Sequence, residues 1–550
     1  MDNEGIANLI FPDVKDISYY EELYKDRNLE EGAVVCRFAP SPTGFVHIGG
    51  LFSSIINKKI AQQTNGVFYL RIEDTDKKRE VENAVEGIVN SLREFDLNPD
   101  EGFIDEKTEK GEYGPYMQSK RGEIYKAYVK HLLKIGSAYP CFCSTEDLDD
   151  IRKKQELSKN MTGYYGKWAK CRNMPLDMAA EKIKNGEKFV IRFKSMGNPE
   201  RKIKHHDLIK GKVEFPENNQ DIVILKSDGL PTYHFAHIVD DHLMKTTHVI
   251  RGEEWLSSVP LHIQLFQAFG FRPPKYAHIA TLLKEENGGK RKISKRKDPE
   301  AAVSYYHEQG IPCQAVKEYL LNIANSNFEG WRRANPDKKI EEFKFELNKM
   351  GVSGALFDIV KLLDVSKNVI SKYSAEEVYN YVIEWSSKYN LSLKEKLEND
   401  KEYAIKIFNI ERGLKKPRKD IAKWSDVEEN ISYMYEDNFY NGQEEYEFQK
   451  INDKETISKI IKLYKEKYFD INDDKQAWFD KIKDLSEELG YAREVKQYKN
   501  EPDKYFAHVG DVSTVIRVAL TKRHNTPDLY EIMQVLGEDK IIKRLDMFCK

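Results

Sequence analysis

One stretch near the N-terminus does most to limit what this chain folds into. Residues 33–38, AVVCRF, are an apolar run with the length of a buried strand, and the loop APSPTGFVH (39–47) ends it with two prolines and a glycine. Ile48, Leu51, Phe52, Ile55, Ile56 and Ile60 then recur at helical spacing, and Gly66 marks the stop. VFYLRIED (67–74) reads as a second strand, and Val81, Ala84, Val85, Ile88, Val89 and Leu92 as a second helix. Strand, helix, strand, helix, with a loop at the first helix's N-terminus, predicts half of a nucleotide-binding α/β sheet.

The pattern breaks from about residue 104 to 205, where helical segments surround three cysteines, and resumes with DIVILKSDG (221–229), HVIRG (248–252), SSVPLHIQLFQAFG (257–270) and YAHIATLLK (276–284). The simplest account is one α/β sheet interrupted by an insertion. From about 300 onward helical periodicity dominates, as in Leu529, Ile532, Met533 and Leu536 before Gly537. The acidic, aperiodic segment 428–447 reads as a linker between two helical modules, and residues 1–32 as an N-terminal extension without a site. A chain of 550 residues is long enough for three or four domains.

Charge limits the partners. Lys plus Arg is 88 against 91 for Asp plus Glu, a net −3, which excludes coating of nucleic acid by bulk charge but leaves room for local basic patches. No apolar run approaches the ~18 residues of a spanning helix, and the start, MDNEGIANLIFPD, lacks a signal pattern, so a cytoplasmic protein without membrane contact is expected. Six cysteines form no disulfide framework, and Cys141, Cys143 and Cys171 fall within 31 residues, which favours a metal in a reducing compartment.

Two motifs bear on phosphate chemistry. His47-Ile48-Gly49-Gly50 opens the first helix, where exposed N–H groups and the dipole attract anions; the bland alternative is a glycine-containing capping loop. Residues 290–297, KRKISKRK, carry six cations in eight positions between Gly288-Gly289 and Asp298-Pro299. That run is either a solvated basic loop, an RNA-backbone contact, or a clamp that places charge where a phosphorus gains it. GLKKPRKDIAK (413–423) and Arg332-Arg333 beside Trp331 are further candidates for phosphate or anticodon contacts, with a solvated face as the alternative.

RFAPSPTGFVHIGG (37–50) with KISKR (292–296) resembles the two signature motifs of class I aminoacyl-tRNA synthetases, and APSPTG followed by RIEDTD (71–76) resembles glutamyl-tRNA synthetases of bacterial type. GPYMQSKR (114–121), LKSDGLPTYHFAHIVDDHLM (225–244), VIRGEEWLSS (249–258) and IRVALT (516–521) extend the resemblance, in order, to near the C-terminus. Gly50, Ile293 and Arg296 depart from the broader class pattern but occur within this family.

The resemblance implies a Rossmann-like α/β catalytic domain with an inserted acceptor-binding domain, followed by an all-α anticodon-binding region. Its expected boundaries are an extension at 1–32, catalytic halves at 33–103 and 206–300, the insertion at 104–205, a stem-contact region at 301–375, and helical modules at 376–435 and 436–550. It implies ligation of L-glutamate to the 2′-OH of the terminal adenosine of tRNA(Glu) through glutamyl adenylate, with tRNA present before activation. ATP enters as substrate with Mg2+, and the enzyme acts as a monomer. His47, Lys292 and Lys295 would be catalytic; these three with Gly49, Gly50 and Ser294 would bind ATP. Arg37, Ala39, Ser41, Glu73, Tyr233, His237 and Arg251 would bind glutamate, His237 standing where relatives often carry Asn. Cys141, Cys143 and Cys171 with Tyr165 resemble a structural Zn2+ site of some members; the alternative is three unpaired thiols.

Three rivals remain at this stage. The short paralogue that glutamylates a tRNA base lacks an anticodon-binding region, which the residues after about 376 argue against. Glutaminyl-tRNA synthetase typically carries a PPEPNG-like first motif. A non-catalytic tRNA-binding relative has no reason to keep His47, Glu73, Arg251 and Lys295 together.

Overall fold

The computed structural model describes residues 1–549 and divides into two compact units, Met1–Tyr305 with Lys317–Asp358, and Tyr306–Val316 with Ile359 onward. In the first unit, α1 (Asn3–Ile10) and α2 (Ile17–Leu23) precede β1 (Val35–Phe38), α3 (Ile48–Gln63), β2 (Val67–Leu70), α4 (Ala84–Glu94), β3 (Glu101–Asp105) and β4 (Thr108–Lys110). β1, β2 and β3 pair in parallel in that order, and β4 closes the edge antiparallel. This is the expected α/β half. β1 is buried throughout, as its continuous apolar run requires, and α3 buries Ile48, Leu51, Phe52, Ile55, Ile56 and Ile60 against the sheet. Where α3 turns into β2, a Cβ on Gly66 would lie 2.0 Å from the Val34 carbonyl oxygen, so only glycine fits.

The chain continues through α5 (Gly122–Lys134), β5 (Ala138–Cys141), α6 (Thr145–Leu157), α7 (Leu176–Lys184), β6 (Val190–Phe193), β7 (Lys202–Asp207), β8 (Gly211–Pro216) and β9 (Val223–Leu225). β9, expected to resume the catalytic sheet, instead pairs antiparallel with β6, giving the order β5-β6-β9. The insertion's sheet therefore takes in residues beyond 205, and β7 and β8 form a separate hairpin.

The parallel pattern returns with α8 (Tyr233–Leu243), β10 (His248–Gly252), α9 (Val259–Ala268) and β11 (Lys275–Ile279), followed by β12 (Leu282–Glu286) and β13 (Gly289–Lys292). β10 and β11 pair in parallel. The two halves meet where the Thr247 N–H donates to the Val35 carbonyl (2.9 Å) and Asn57 Nδ2 to the Ile250 carbonyl (3.1 Å). The N-terminal segment is seated on this body rather than extended from it. α1 buries Ile6 and Ala7, Tyr128 donates to Glu21 (2.6 Å), and Arg27 holds Glu101 with two bonds of 2.7 and 3.0 Å.

The second unit is helical. Its apolar residues form one continuous cluster from Ile370 to Leu545. Ile431, Tyr433, Met434 and Phe439 are buried in it, so 428–447 is not a linker, and the two modules expected at 376–435 and 436–550 share a core. Among the described residues no helix is long and apolar enough to cross a membrane.

Candidate active site

A cavity of about 1150 Å³ opens in the first unit, where the N-terminus of α3 and the C-terminal ends of β1, β2 and β10 converge. Parallel sheets place ligands at the carboxyl ends of their strands. Arg37, Ala39, Ser41, His47, Gly49, Gly50, Glu73, Tyr233, Arg251 and Lys292 all line it. Ser294, Lys295 and His237 are not among the lining residues.

His47 is the N-cap of α3. Its backbone is extended, and Nδ1 accepts from the Gly49 N–H at 3.0 Å. Burial lowers the affinity of this imidazole for a proton, and Lys295 and Lys292 add to the effect, so His47 is neutral at pH 7. The Gly50 and Leu51 amides donate to the His47 carbonyl (2.7 and 3.2 Å), and Gly49 and Gly50, at the positive end of the helix dipole, line the cavity together with Lys292.

The basic run 290–297 divides by function. Arg291 is consumed internally, its guanidinium holding Asp298 with bonds of 2.6 and 2.7 Å. Asp298 also accepts from the Ser294 N–H (2.9 Å), which fixes the loop. Lys292 and Ile293 reach the cavity wall, and Lys295 Nζ bonds the Phe45 carbonyl, joining this loop to the one that precedes α3.

The opposite wall is ionic. Arg71 is fully buried and bonds Glu73 (2.9 Å) and Asp241 (2.7 Å), and Arg37 Nε donates to the same Asp241 (3.2 Å). Burial pushes the Glu73 carboxyl up, with Arg71 and Arg37 opposing. Tyr233, first residue of α8, accepts from Arg251 Nη1 at 3.2 Å and lies against Trp255, ring centroids 4.2 Å apart. His237, one turn further into α8, is fully buried behind Tyr233, with Nδ1 2.7 Å from Asp241 and Nε2 3.1 Å from the Tyr276 hydroxyl. It supports the pocket from behind and does not line it, contrary to the sequence expectation. Asp241, Arg71 and Trp255 are not singled out by the sequence, although DD at 240–241, the Arg of RIEDTD and the Trp of VIRGEEWLSS stand in its motifs.

The three thiols do come together. Cys141, Cys143 and Cys171 place their sulfurs within 4.8 Å of one another. The fourth donor atom beside them is the Tyr164 hydroxyl oxygen, 3.2 Å from Cys143 Sγ and 3.4 Å from Cys141 Sγ. Tyr165 points away and donates to the Met161 carbonyl (2.7 Å), so the expected Tyr165 is replaced by its neighbour. Three soft sulfurs with a phenol oxygen suit tetrahedral Zn2+. Of the other basic candidates, Arg332 is committed to Glu318 (2.9 Å) and to backbone carbonyls, and Arg333 pairs with Glu329. Arg418 pairs with Asp420 (2.8 Å), while Lys415, Lys416 and Lys419 stay exposed.

Comparison with known proteins agrees with this geometry. The family described as tRNA synthetases class I (E and Q), catalytic domain, matches residues 33–363, and an anticodon binding domain matches 503–549. A glutamate–tRNA ligase of Clostridium perfringens (strain SM101 / Type A) is 51% identical over 550 residues, covering all of both chains. One from Sorangium cellulosum is 45% identical over 96% of this chain and 97% of its own. The crystal structure of a glutamate tRNA ligase from Elizabethkingia meningosepticum superposes with a TM-score of 0.74 at 28% identity, over 94% of this chain and 99% of that one. With a class I catalytic domain over most of its first unit and full-length relatives at half identity, the chain belongs to the glutamate–tRNA ligases of the class I tRNA synthetase family.

Proposed function

We propose that this chain ligates L-glutamate to the 3′ end of tRNA(Glu) through glutamyl adenylate, as its family membership and its cavity together support. The glutamate α-carboxylate oxygen attacks the α-phosphorus of ATP and the bond to pyrophosphate breaks. The 2′-OH of the terminal adenosine then attacks the activated carbonyl, loses its proton, and AMP leaves. The attacking carboxylate is already an anion, so the first step needs positioning and charge neutralisation rather than a general base.

His47, Gly49 and Gly50 at the start of α3 receive the phosphates, with Lys292, Ser294 and Lys295 on the facing loop. Lys295 neutralises charge on the transferring group. Arg37 and Arg251 hold the substrate carboxylates, since a guanidinium fork matches them. Glu73 and Ser41 take the α-ammonium, Ala39 leaves room for the chain, and Tyr233 packs against it. Mg2+, arriving with ATP, supplies further charge neutralisation on the phosphates. Cys141, Cys143, Cys171 and Tyr164 would hold Zn2+, which would cross-link the insertion, residues of about 104–205 and β9, in the shape that receives the acceptor end. Residues 301–375 contact the stem and the helical unit reads the anticodon. The enzyme acts as a cytoplasmic monomer.

The observation that supports this reading is one cavity lined by His47, Gly49 and Gly50 at the start of α3, by Lys292, and by Arg37, Glu73, Tyr233 and Arg251. ATP–pyrophosphate exchange, run with glutamate and with glutamine and with and without purified tRNAs, tests it. Exchange with glutamate that requires tRNA(Glu) is expected. Exchange with glutamine alone would assign the chain to the other substrate of the catalytic family.

A further inference from the structure

We infer that Asp207 and His278 are positioning residues for Arg251: they fix the imidazole tautomer whose lone pair turns the guanidinium fork toward the cavity. The inference rests on Arg251 being the glutamate carboxylate ligand and deepens that reading.

Asp207 ends β7 and His278 lies in β11, and both side chains are fully buried. Asp207 Oδ1 accepts from the backbone N–H of Ile209 (2.9 Å), Lys210 (2.8 Å) and His278 (3.3 Å), which fixes the carboxylate. Its Oδ2 lies 2.6 Å from His278 Nδ1. A carboxylate only accepts, so Nδ1 carries the proton and the neutral ring presents a lone pair at Nε2. Arg251 Nε, which only donates, sits 3.1 Å from that nitrogen. The chain of donors and acceptors has one consistent assignment. Burial keeps the His278 ring from taking a second proton and Arg251 adds to this, while Asp207 pulls the other way.

With Nε committed inward, Nη1 of Arg251 donates to the Tyr233 hydroxyl (3.2 Å), and Nη2 donates to the Trp255 carbonyl (3.2 Å) and lies 3.3 Å from Nδ1 of the buried His262, while Arg251 itself lines the cavity. The Tyr276 ring lies beneath the guanidinium, its centroid 5.0 Å away. Among the described residues, Arg251 makes no ion pair, although every other buried arginine at this cavity does. A carboxylate in direct contact would orient Arg251 and also neutralise it. A neutral imidazole orients it and leaves its charge for an incoming carboxylate, with Asp207 one ring further away.

Asp207→Asn tests the tautomer with little change of shape. The Asn carbonyl oxygen keeps the three backbone bonds, and its NH2 faces His278 Nδ1, moving the ring proton to Nε2 against the Arg251 donor. The glutamate KM should rise about 10- to 100-fold, with the ATP KM and kcat within about threefold. His278→Gln offers a carboxamide oxygen to Arg251 whatever stands at 207, so adding it to Asp207→Asn should recover most of the lost affinity. A double variant as impaired as the single one would overturn the relay and leave only a structural role. Arg251→Gln separates the two claims. If it leaves the glutamate KM unchanged, the reading of Arg251 is wrong; if it raises KM while Asp207→Asn does not, only the relay is wrong. Selective 15N-histidine NMR gives a readout independent of activity, the His278 signals being those lost in His278→Gln. An unprotonated Nε2 in the parent and a protonated one in Asp207→Asn are expected; a protonated Nε2 in the parent refutes the proposal.

Discussion

Asp241→Asn isolates the electrostatic centre behind the cavity. The Asp241 carboxylate is fully buried and is shared by Arg71 (2.7 Å) and Arg37 (3.2 Å), with the Tyr69 and Thr246 hydroxyls each at 3.3 Å. The asparagine keeps the volume and one acceptor but leaves two buried guanidinium groups, Arg71 with Glu73 at 2.9 Å and Asp240 at 3.8 Å. Removing one member of a buried ion pair costs about 3–5 kcal/mol, and the near-isosteric change places this variant at about 3. A unit of this size loses ~2 °C of Tm per kcal/mol, so the expected fall is ~6 °C. The sign with pH follows from the carboxyl itself. Burial pushes its pKa up, but Arg37 and Arg71 more than offset this and hold it well below the ordinary range. Its contribution is therefore complete above the unfolded value of about 3.9 and is lost as pH falls through the folded value. The difference between wild type and Asp241→Asn should be constant from about pH 7 to pH 5 and should narrow below about pH 4. Scanning calorimetry across that range checks it, with Asp150→Asn, whose partner Lys154 is exposed, as a control that leaves Tm unchanged. A Tm shift under 1 °C at neutral pH, or a gap that widens on acidification, would refute the reasoning.

Lys295→Ala should lower kcat for glutamyl-tRNA formation by ~10²-fold or more with little effect on tRNA affinity. Near-normal kcat with a raised KM for tRNA would make the loop an RNA contact instead. Protein purified without chelator should contain one zinc per chain by elemental analysis, and its removal should weaken acceptor-end binding more than ATP binding; no metal, with all three thiols alkylated in the native protein, would leave the cluster as unpaired cysteines. Gly66→Ala forces a Cβ to within 2.0 Å of the Val34 carbonyl oxygen and should destabilise by about 3 kcal/mol, read as a lowered denaturant midpoint.

What the sequence makes legible follows from how much each element repeats. Sixteen residues of α3 show their buried face plainly, because Ile48 to Ile60 lie over the sheet through four turns. A three-residue strand shows no such thing: β9 is apolar whichever sheet it joins, and its partner β6 lies about 30 residues away. Short helices hide in the same way. Tyr433, Met434 and Phe439 are core residues, but they sit in elements of three and six residues among glutamates, so no period emerges. Adjacent residues such as Tyr164 and Tyr165 differ only in direction, and direction is set by the backbone. In the site, motif residues were legible and their supports were not. Arg37, His47, Glu73 and Arg251 stand in recognisable runs, whereas Asp207 and His278 are single polar residues in strands that meet only through folding. Asp298 likewise gives no sign that it removes Arg291 from the basic run.

The shared core of the helical unit bears on how this chain behaves when cut. The segment 442–445 is exposed, and a glutamyl-specific protease acting after Glu444 would divide the unit into two pieces. Within the helical unit neither part has a core of its own: Ile431, Tyr433, Met434 and Phe439 from one pack in the same cluster as Ile516, Met533 and Leu545 from the other. Nicked protein should therefore elute as a single species and come apart only in denaturant, and the piece after residue 444 should be insoluble when expressed alone yet soluble when produced together with the rest of the chain. A break in the backbone at that point severs the covalent chain without severing the fold.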